Sequence, residues 1–221
     1  MLSALLFDFD GLILDTETPE VQILKEVFAE HGQEFPDSYW IDALGRGADQ
    51  MMQLPSELLQ SLCGRQLDCA EIERDRRART VALIEQEIIR PGVEMVLLEA
   101  KEMGLKVGIA SSSKHEWVDG HLKRLGLHKA FDKIVCADDV ARAKPFPDLY
   151  LKVIEELGVE AHDCVALEDS PNGIKAGKAA GVRVVAVPNT LTKQLDLSEA
   201  DLVIDSLVGV EVSELWVNPL R

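Results

Sequence analysis

The sequence predicts an α/β fold, a doubly wound and mostly parallel sheet with helices on both faces and an all-helical lobe inserted after the first strand. Three observations carry this. Short apolar runs alternate with helical patterns from residue 106 onward. The first apolar run, residues 3–9, stands nearly a hundred residues before the second. The interval between them holds helical patterns and no convincing strand. Alternating strands and helices are the mark of a parallel sheet covered on both sides.

Taken in order, residues 3–9 (SALLFDF) form a short apolar run ending on acid, as a buried parallel strand does on reaching its carboxyl end. A βα crossover takes about 30 residues in all, so the long gap that follows marks an insertion. Within it Val21, Leu24, Val27 and Phe28 recur at helical spacing before Gly32, and an Arg-rich segment, 70–88, carries Val81, Ile84 and Ile88 on one face. Pro91 and Gly92 punctuate the return. The expected organisation is therefore a core of residues 1–15 and 89–221 and a helical cap of residues 16–88, joined through chain around 15–18 and 88–91. KVGIA (106–110), KIVCA (133–137), CVALE (164–168), VRVVAV (182–187) and LVID (202–205) read as the further strands. HEWVDGHLKRLG (115–126), PDLYLKVIEELG (147–158) and PNGIKAGKAAG (171–181) read as helices between them, each closed by a glycine at the C-cap.

The 221 residues carry 23 Lys and Arg against 39 Asp and Glu, a formal net charge of −16. Nucleic acid and anionic membrane surfaces are recognised through clustered positive charge, so neither is an expected partner. No apolar run reaches the 18 or so residues of a membrane span, and Asp8 and Asp10 interrupt the first apolar stretch before it could serve as a signal peptide. Cys63, Cys69, Cys136 and Cys164 form no C-x-x-C pair and no metal-spaced set with the histidines. They read as reduced structural thiols of a cytoplasmic, monomeric protein. His31, His115, His121, His128 and His162 show no ligand spacing and receive no role.

Ligands of open parallel sheets bind beyond the carboxyl ends of the strands. There the sequence places Asp8 and Asp10, which alternation puts on one side with Phe9 turned away, then Ser111, then Glu168 and Asp169, with Lys144 on a loop before a helix. Each has a bland reading: a lone Asp after a strand is commonly a turn former, Ser111 competes with Ser112 and Ser113 as a helix cap, and Lys144 could be a solvated lysine. The constellation carries the inference. Four converging carboxylates repel, and magnesium relieves this, taking oxygen ligands and substrate phosphate. Lys144 and Ser111 suit a phosphoryl group, and a carboxylate so placed can act as nucleophile on a phosphoester.

Other patterns are set aside. Gly45-Arg46-Gly47 begins a dinucleotide-like motif without a preceding strand, and GIKAGKA (173–179) has the wrong spacing for a phosphate loop. Arg74, Arg76, Arg77 and Arg79, interleaved with acids, read as a solvated helix face. Met51, Met52, Trp40, Trp117 and Trp216 read as packing.

DFDGLILDTE (8–17), VGIASSS (107–113), AKPFPDLY (143–150) and LEDSPNGIKAG (167–177) resemble, in order and spacing, the four motifs of the haloacid dehalogenase-like hydrolases. The helical insert resembles the cap of the branch that contains β-phosphoglucomutase and many small-metabolite phosphatases. The resemblance implies that Asp8 is nucleophile and magnesium ligand, and that Asp10 is general acid and base with its backbone carbonyl on the metal. It implies that Ser111 and Lys144 hold phosphate and that Glu168 and Asp169 complete the metal site. Dehalogenases lack the second aspartate, which favours phosphoryl transfer here. The expected activity is magnesium-dependent hydrolysis of a small phosphorylated metabolite through an aspartyl phosphate. A phosphomutase is the nearer alternative, although the mutase has a histidine where this chain has Glu20; a receiver-like phospho-acceptor module is the more distant one. Arg46 is a candidate cap-borne substrate contact, or else pins its loop, and the cap is expected to close over substrate.

Overall fold

The computed structural model describes residues 1–36, 38–40 and 53–216. Six strands, β1 (Ala4–Phe7), β2 (Lys106–Ala110), β3 (Lys133–Val135), β4 (Cys164–Glu168), β5 (Arg183–Ala186) and β6 (Leu202–Val203), form one sheet. Their order is β3-β2-β1-β4-β5-β6 and every pairing is parallel. The chain winds outward one way from β1 to β3 and the other way from β4 to β6. The switch point therefore lies between β1 and β4, where Ala4 pairs with Lys106 on one side and Cys164 on the other.

Because β1 is central it has no solvent-facing side, which is why its four residues are all apolar and buried. Leu5 and Phe7 face one apolar layer, with α4 (Val93–Glu102), α5 (His115–Arg124) and the short α8 (Val212–Trp216). Ala4 and Leu6 face the other, with α6 (Asp148–Leu157) and α7 (Pro171–Ala179). Gly108 lets α6 lie close on β2, since a Cβ there would stand 2.6 Å from a Val153 methyl.

Between β1 and α4 lie α1 (Glu17–Glu30), α2 (Pro55–Cys63) and α3 (Cys69–Ile84), with no strand among the described residues. They share their own apolar cluster around Leu24, Phe28, Phe35 and Leu59, in which Phe28 and Phe35 meet edge to face at 5.0 Å. The two connections run side by side, with the Arg90 amide donating to the Ile13 carbonyl at 2.9 Å and Leu14 bridging Ile89.

Two sequence expectations fail on α3. Val81 is 38% exposed and Ile88 75%, so they do not share a buried face with Ile84. The helix ends at Ile84, and Arg124 binds the carbonyls of Ile84, Glu85 and Glu87, so a helical register read through 88 crosses a break. The buried face is Glu73, Arg76, Thr80 and Ile84. Arg76 is thus no solvated residue: its guanidinium bonds Glu73 at 2.9 Å and Glu20 of α1 at 2.9 Å. Arg74 and Arg77 are exposed, as expected.

Candidate active site

The loop after β1 is shaped by Gly11, which sits at φ +78° beneath a turn closed by Ile13 N–H to Phe9 carbonyl at 2.9 Å. A Cβ at Gly11 would lie 2.2 Å from Asp169 Oδ2. Only glycine therefore allows both the left-handed backbone and the approach of this loop to the acid that follows β4. At the start of α7 Gly173 likewise allows a close approach, since a Cβ there would stand 1.8 Å from Glu168 Oε2. The helix is capped by Ser170, whose Oγ accepts the Gly173 amide at 3.1 Å.

Lys144 lies between the two strand ends. Its ammonium, in a residue only 4% exposed, contacts Asp8 Oδ1 at 2.5 Å and Glu168 Oε1 at 2.6 Å. Tyr150, on α6, donates its hydroxyl to the same Glu168 oxygen at 2.5 Å. Asp169 Oδ2 accepts from Asn189 Nδ2 at 2.9 Å, and that amide also donates to Glu17 Oε2 at 2.6 Å. Glu17 opens α1, so Asn189 joins the inserted helices to the sheet edge. Arg90 donates to the carbonyls of Gly11, Val187 and Pro188 and brings a partly buried positive charge behind Asp169.

Asp10 turns elsewhere. Its carboxylate accepts from Ser113 Oγ at 2.6 Å, just before α5, and from Trp117 Nε1 at 2.9 Å, in its first turn. Ser111 is fully buried after β2, and its Oγ accepts the Ser113 amide at 3.0 Å.

Burial dominates the electrostatics. It raises the Asp8 carboxyl above its ordinary range, with Lys144 opposing and Asp10 adding to the rise. Glu168 is pushed up to about 7, mainly by burial, with Lys144 pulling down and Asp8 pushing up. Asp169 is raised well above its usual value by burial and then by Glu17, Asp8 and Glu168. Glu17 is raised to about 8, again chiefly by burial. For Lys144 burial works against the ammonium, but Asp8 and Glu168 outweigh it and hold its pKa above the ordinary lysine value. One ammonium thus serves a crowd of buried acids and does not satisfy them.

The residues fit a hard divalent cation. One oxygen each from Asp8, Glu168 and Asp169 lies within 4.8 Å of the others. Glu168 Oε2 is buried without a hydrogen-bond partner, an expensive state for an acid unless a cation takes it. An all-oxygen carboxylate set suits magnesium.

The structure thus brings Asp8, Lys144, Glu168 and Asp169 together, sets Asp10 beside them on a tether of its own, and buries Ser111 at the neighbouring strand end. Arg46 lies outside the described residues, as do Gly45, Gly47, Met51 and Met52. Trp117 packs against the core as read and meets His121 edge to face at 4.3 Å, and its indole also donates to Asp10. Ser113 caps no helix, because α5 is preceded by Lys114 without a side-chain cap. Glu17, Tyr150 and Asn189 were not anticipated. Asn189 follows β5, so the strand-end rule applied to that strand would have found it. Tyr150 was readable only as a core aromatic.

A sheet of this winding, with an acid and lysine cluster at its switch point, defines a doubly wound α/β protein with a polar reaction centre. The chain belongs to the haloacid dehalogenase-like hydrolases, whose family model matches residues 5–187. It is 46% identical to YhcW of Bacillus subtilis (strain 168), over 97% of this chain and 96% of that protein. It is 34% identical to hexitol phosphatase B of Escherichia coli (strain K12), over 84% of this chain and 83% of that one. The crystal structure of CbbY from Rhodobacter sphaeroides in complex with phosphate superposes with a TM-score of 0.75 at 29% identity, covering 98% of this chain and 100% of that one.

Proposed function

We propose that the protein is a magnesium-dependent phosphatase of small phosphorylated metabolites, acting through a phosphoryl group carried on Asp8. The observation that carries this reading is the Lys144 ammonium seated between Asp8 and Glu168 at the switch point, beside Asp169. The cap is residues 16–88 and the core residues 1–15 and 89–221. Family membership and the relationship to hexitol phosphatase B support the reaction class.

Lys144 opposes the rise that burial imposes on the Asp8 carboxyl and presents positive charge to a phosphoryl oxygen. Ser111 donates to another. Asp8 attacks phosphorus, the bond to the ester oxygen breaks, and Asp10 gives that oxygen its proton. Asp10, now a base, takes a proton from water, which attacks the acyl phosphate at phosphorus and releases inorganic phosphate with Asp8 restored. A magnesium ion held by Asp8, Glu168, Asp169 and the Asp10 carbonyl would neutralise the charge of the phosphoryl group. Arg46 is a cap-borne contact for the rest of the substrate.

A phosphomutase has less support, because Glu20 stands at the position of the mutase histidine and its carboxylate is bound to Arg76 at 2.9 Å. A receiver-like module does not carry a helical insert after its first strand. The test is phosphate release from phosphorylated sugars, polyols, nucleotides and glycolytic acids, with and without magnesium, alongside Asp8→Asn. The expected result is release that requires magnesium and disappears in the variant. Undiminished release by Asp8→Asn would overturn the reading, and isomer formation without net release would replace it with a mutase.

A further inference from the structure

The fold assembles a second group of metal-binding side chains that the proposed reaction does not use. His115 opens α5, Cys136 follows β3, and Asp138 lies in the 3₁₀ turn Ala137–Asp139. One ring nitrogen of His115, the Cys136 sulfur and one carboxylate oxygen of Asp138 lie within 4.8 Å of one another. The sequence shows no sign of this, because 115, 136 and 138 have no ligand spacing. Only the parallel pairing of β2 with β3 carries the start of α5 to the end of β3.

We propose that His115, Cys136 and Asp138 form a binding site for a zinc-class divalent cation, separate from the acid cluster at the switch point. A nitrogen, a sulfur and an oxygen donor make a mixed set that excludes magnesium and calcium, which take oxygen, and suits zinc, which accepts all three and keeps a fourth position for water. Donor atoms around one zinc ion stand roughly 3.2–3.8 Å apart, and these three already lie within 4.8 Å of one another. Asp138 is exposed and His115 partly so, which leaves both able to turn, while the buried Cys136 supplies the fixed point.

The surroundings match those of metal sites. The His115 ring lies between two carboxylates, with Nε2 at 2.7 Å from Asp139 and Nδ1 at 3.3 Å from Asp119. Whichever nitrogen takes the metal, the other keeps an acid that orients the ring. Asp138 Oδ1 accepts the His115 amide at 3.0 Å, and Asp139 Oδ2 accepts the Cys136 amide at 2.8 Å, so one proposed ligand is tied to the backbone of another and the neighbouring Asp139 to the backbone of the third. His128 contacts the far oxygen of Asp119 at 3.3 Å. Burial, then Asp119, Asp139, Asp138 and Asp10, keep the bare Cys136 thiol protonated, and those same acids attract a cation. An ion held here would tie the end of β3 to the start of α5, next to the segment that holds Asp10, since the Ala137 amide donates to the Ser113 carbonyl at 2.9 Å.

Cobalt(II) is the probe, titrated into the full chain with magnesium in excess. Its thiolate-to-metal absorption in the near ultraviolet reports a cysteine ligand and is blind to the all-oxygen cluster. The expected result is one equivalent of cobalt with that band, displaced by zinc and retained in Asp169→Asn. The band should be lost in Cys136→Ser. His115→Gln should weaken binding at least about 10-fold, and Asp139→Asn by about 10–100-fold. Absence of the band in the wild-type protein, or its survival in Cys136→Ser, overturns the proposal. Should Cys136→Ser fail to fold, the wild-type spectrum and the partly exposed His115→Gln decide it: undiminished affinity in His115→Gln also overturns the site. Because nothing here reads turnover, the result is independent of the phosphatase reading.

Discussion

Asp10 shows how two acids two residues apart acquire different work. Asp8 is buried against Lys144, whereas Asp10 accepts from Ser113 and Trp117 and lies outside the group of converging metal-capable oxygens. A group that gives and takes protons needs fixed geometry and freedom from the metal. Asp10→Asn should lower turnover about 10²–10⁴-fold, with the loss shrinking for substrates with good leaving groups. An equal loss across a leaving-group series would contradict the role. Trp117→Phe keeps the ring and removes the donor. It should lower turnover in the same leaving-group-dependent way with KM little changed, and a pure stability loss would show that the indole only packs. Gly11→Ala forces a Cβ onto Asp169 at a left-handed backbone position, so the magnesium requirement should rise steeply in concentration. The acids at the strand ends were legible because strand ends and alternation locate them. Their holders were not, since Trp117 and Tyr150 are residue types whose default is packing and only contact across the sheet edge reveals the donor.

At the scale of the element, α3 is informative because it buries charge. Apolar periodicity cannot locate a face made of Glu73, Arg76, Thr80 and Ile84, and points instead to Val81 and Ile88, which are exposed. The face exists because Arg76 brings its own partners, bonding Glu73 through two nitrogens and reaching Glu20 across to α1. Removing one member of a buried ion group leaves the others unpaired, which costs about 3–5 kcal/mol. Arg76→Ala should therefore destabilise the protein by about 3 kcal/mol in denaturant unfolding. Arg79 pairs with Glu26, Glu30 and Asp75 at the more exposed end, and Arg79→Ala should cost under about 1 kcal/mol. Equal losses for the two would contradict this division. The strands, by contrast, were legible nearly to the residue, since β2 and β4 coincide with KVGIA and CVALE. Central parallel strands are apolar nearly throughout, and these runs are short and bounded by charged or turn-forming residues.

For the whole molecule, the winding order decides everything that follows, because it makes β1 and β4 neighbours and so gathers acids from residues 8 and 168–169. The order itself was not legible: alternation implies a parallel sheet but not which strand lies beside which. The gathered acids predict a pH dependence. Glu168 and Glu17 ionise at about 7 and about 8 in the folded protein against an ordinary value of 4.5. Between pH 4.5 and 8 the folded state thus binds more protons than the unfolded chain, and stability falls as pH rises through that window. Magnesium favours the ionised acids, so melting temperatures with and without it should diverge as pH rises. A constant difference from pH 5 to 8 would contradict this. The net charge of −16 adds a further expectation, since it repels an anionic substrate at long range. With magnesium saturating, moderate salt should raise kcat/KM, not lower it.

In the proposed reaction phosphorus passes through the carboxylate of Asp8. Borohydride added to the enzyme during turnover reduces an acyl phosphate to the alcohol and leaves a free carboxylate untouched. Peptide mass spectrometry is then expected to find residue 8 converted to homoserine only when substrate and magnesium are both present. An unmodified Asp8 in enzyme that is releasing phosphate, or reduction at a different carboxylate, would contradict the account.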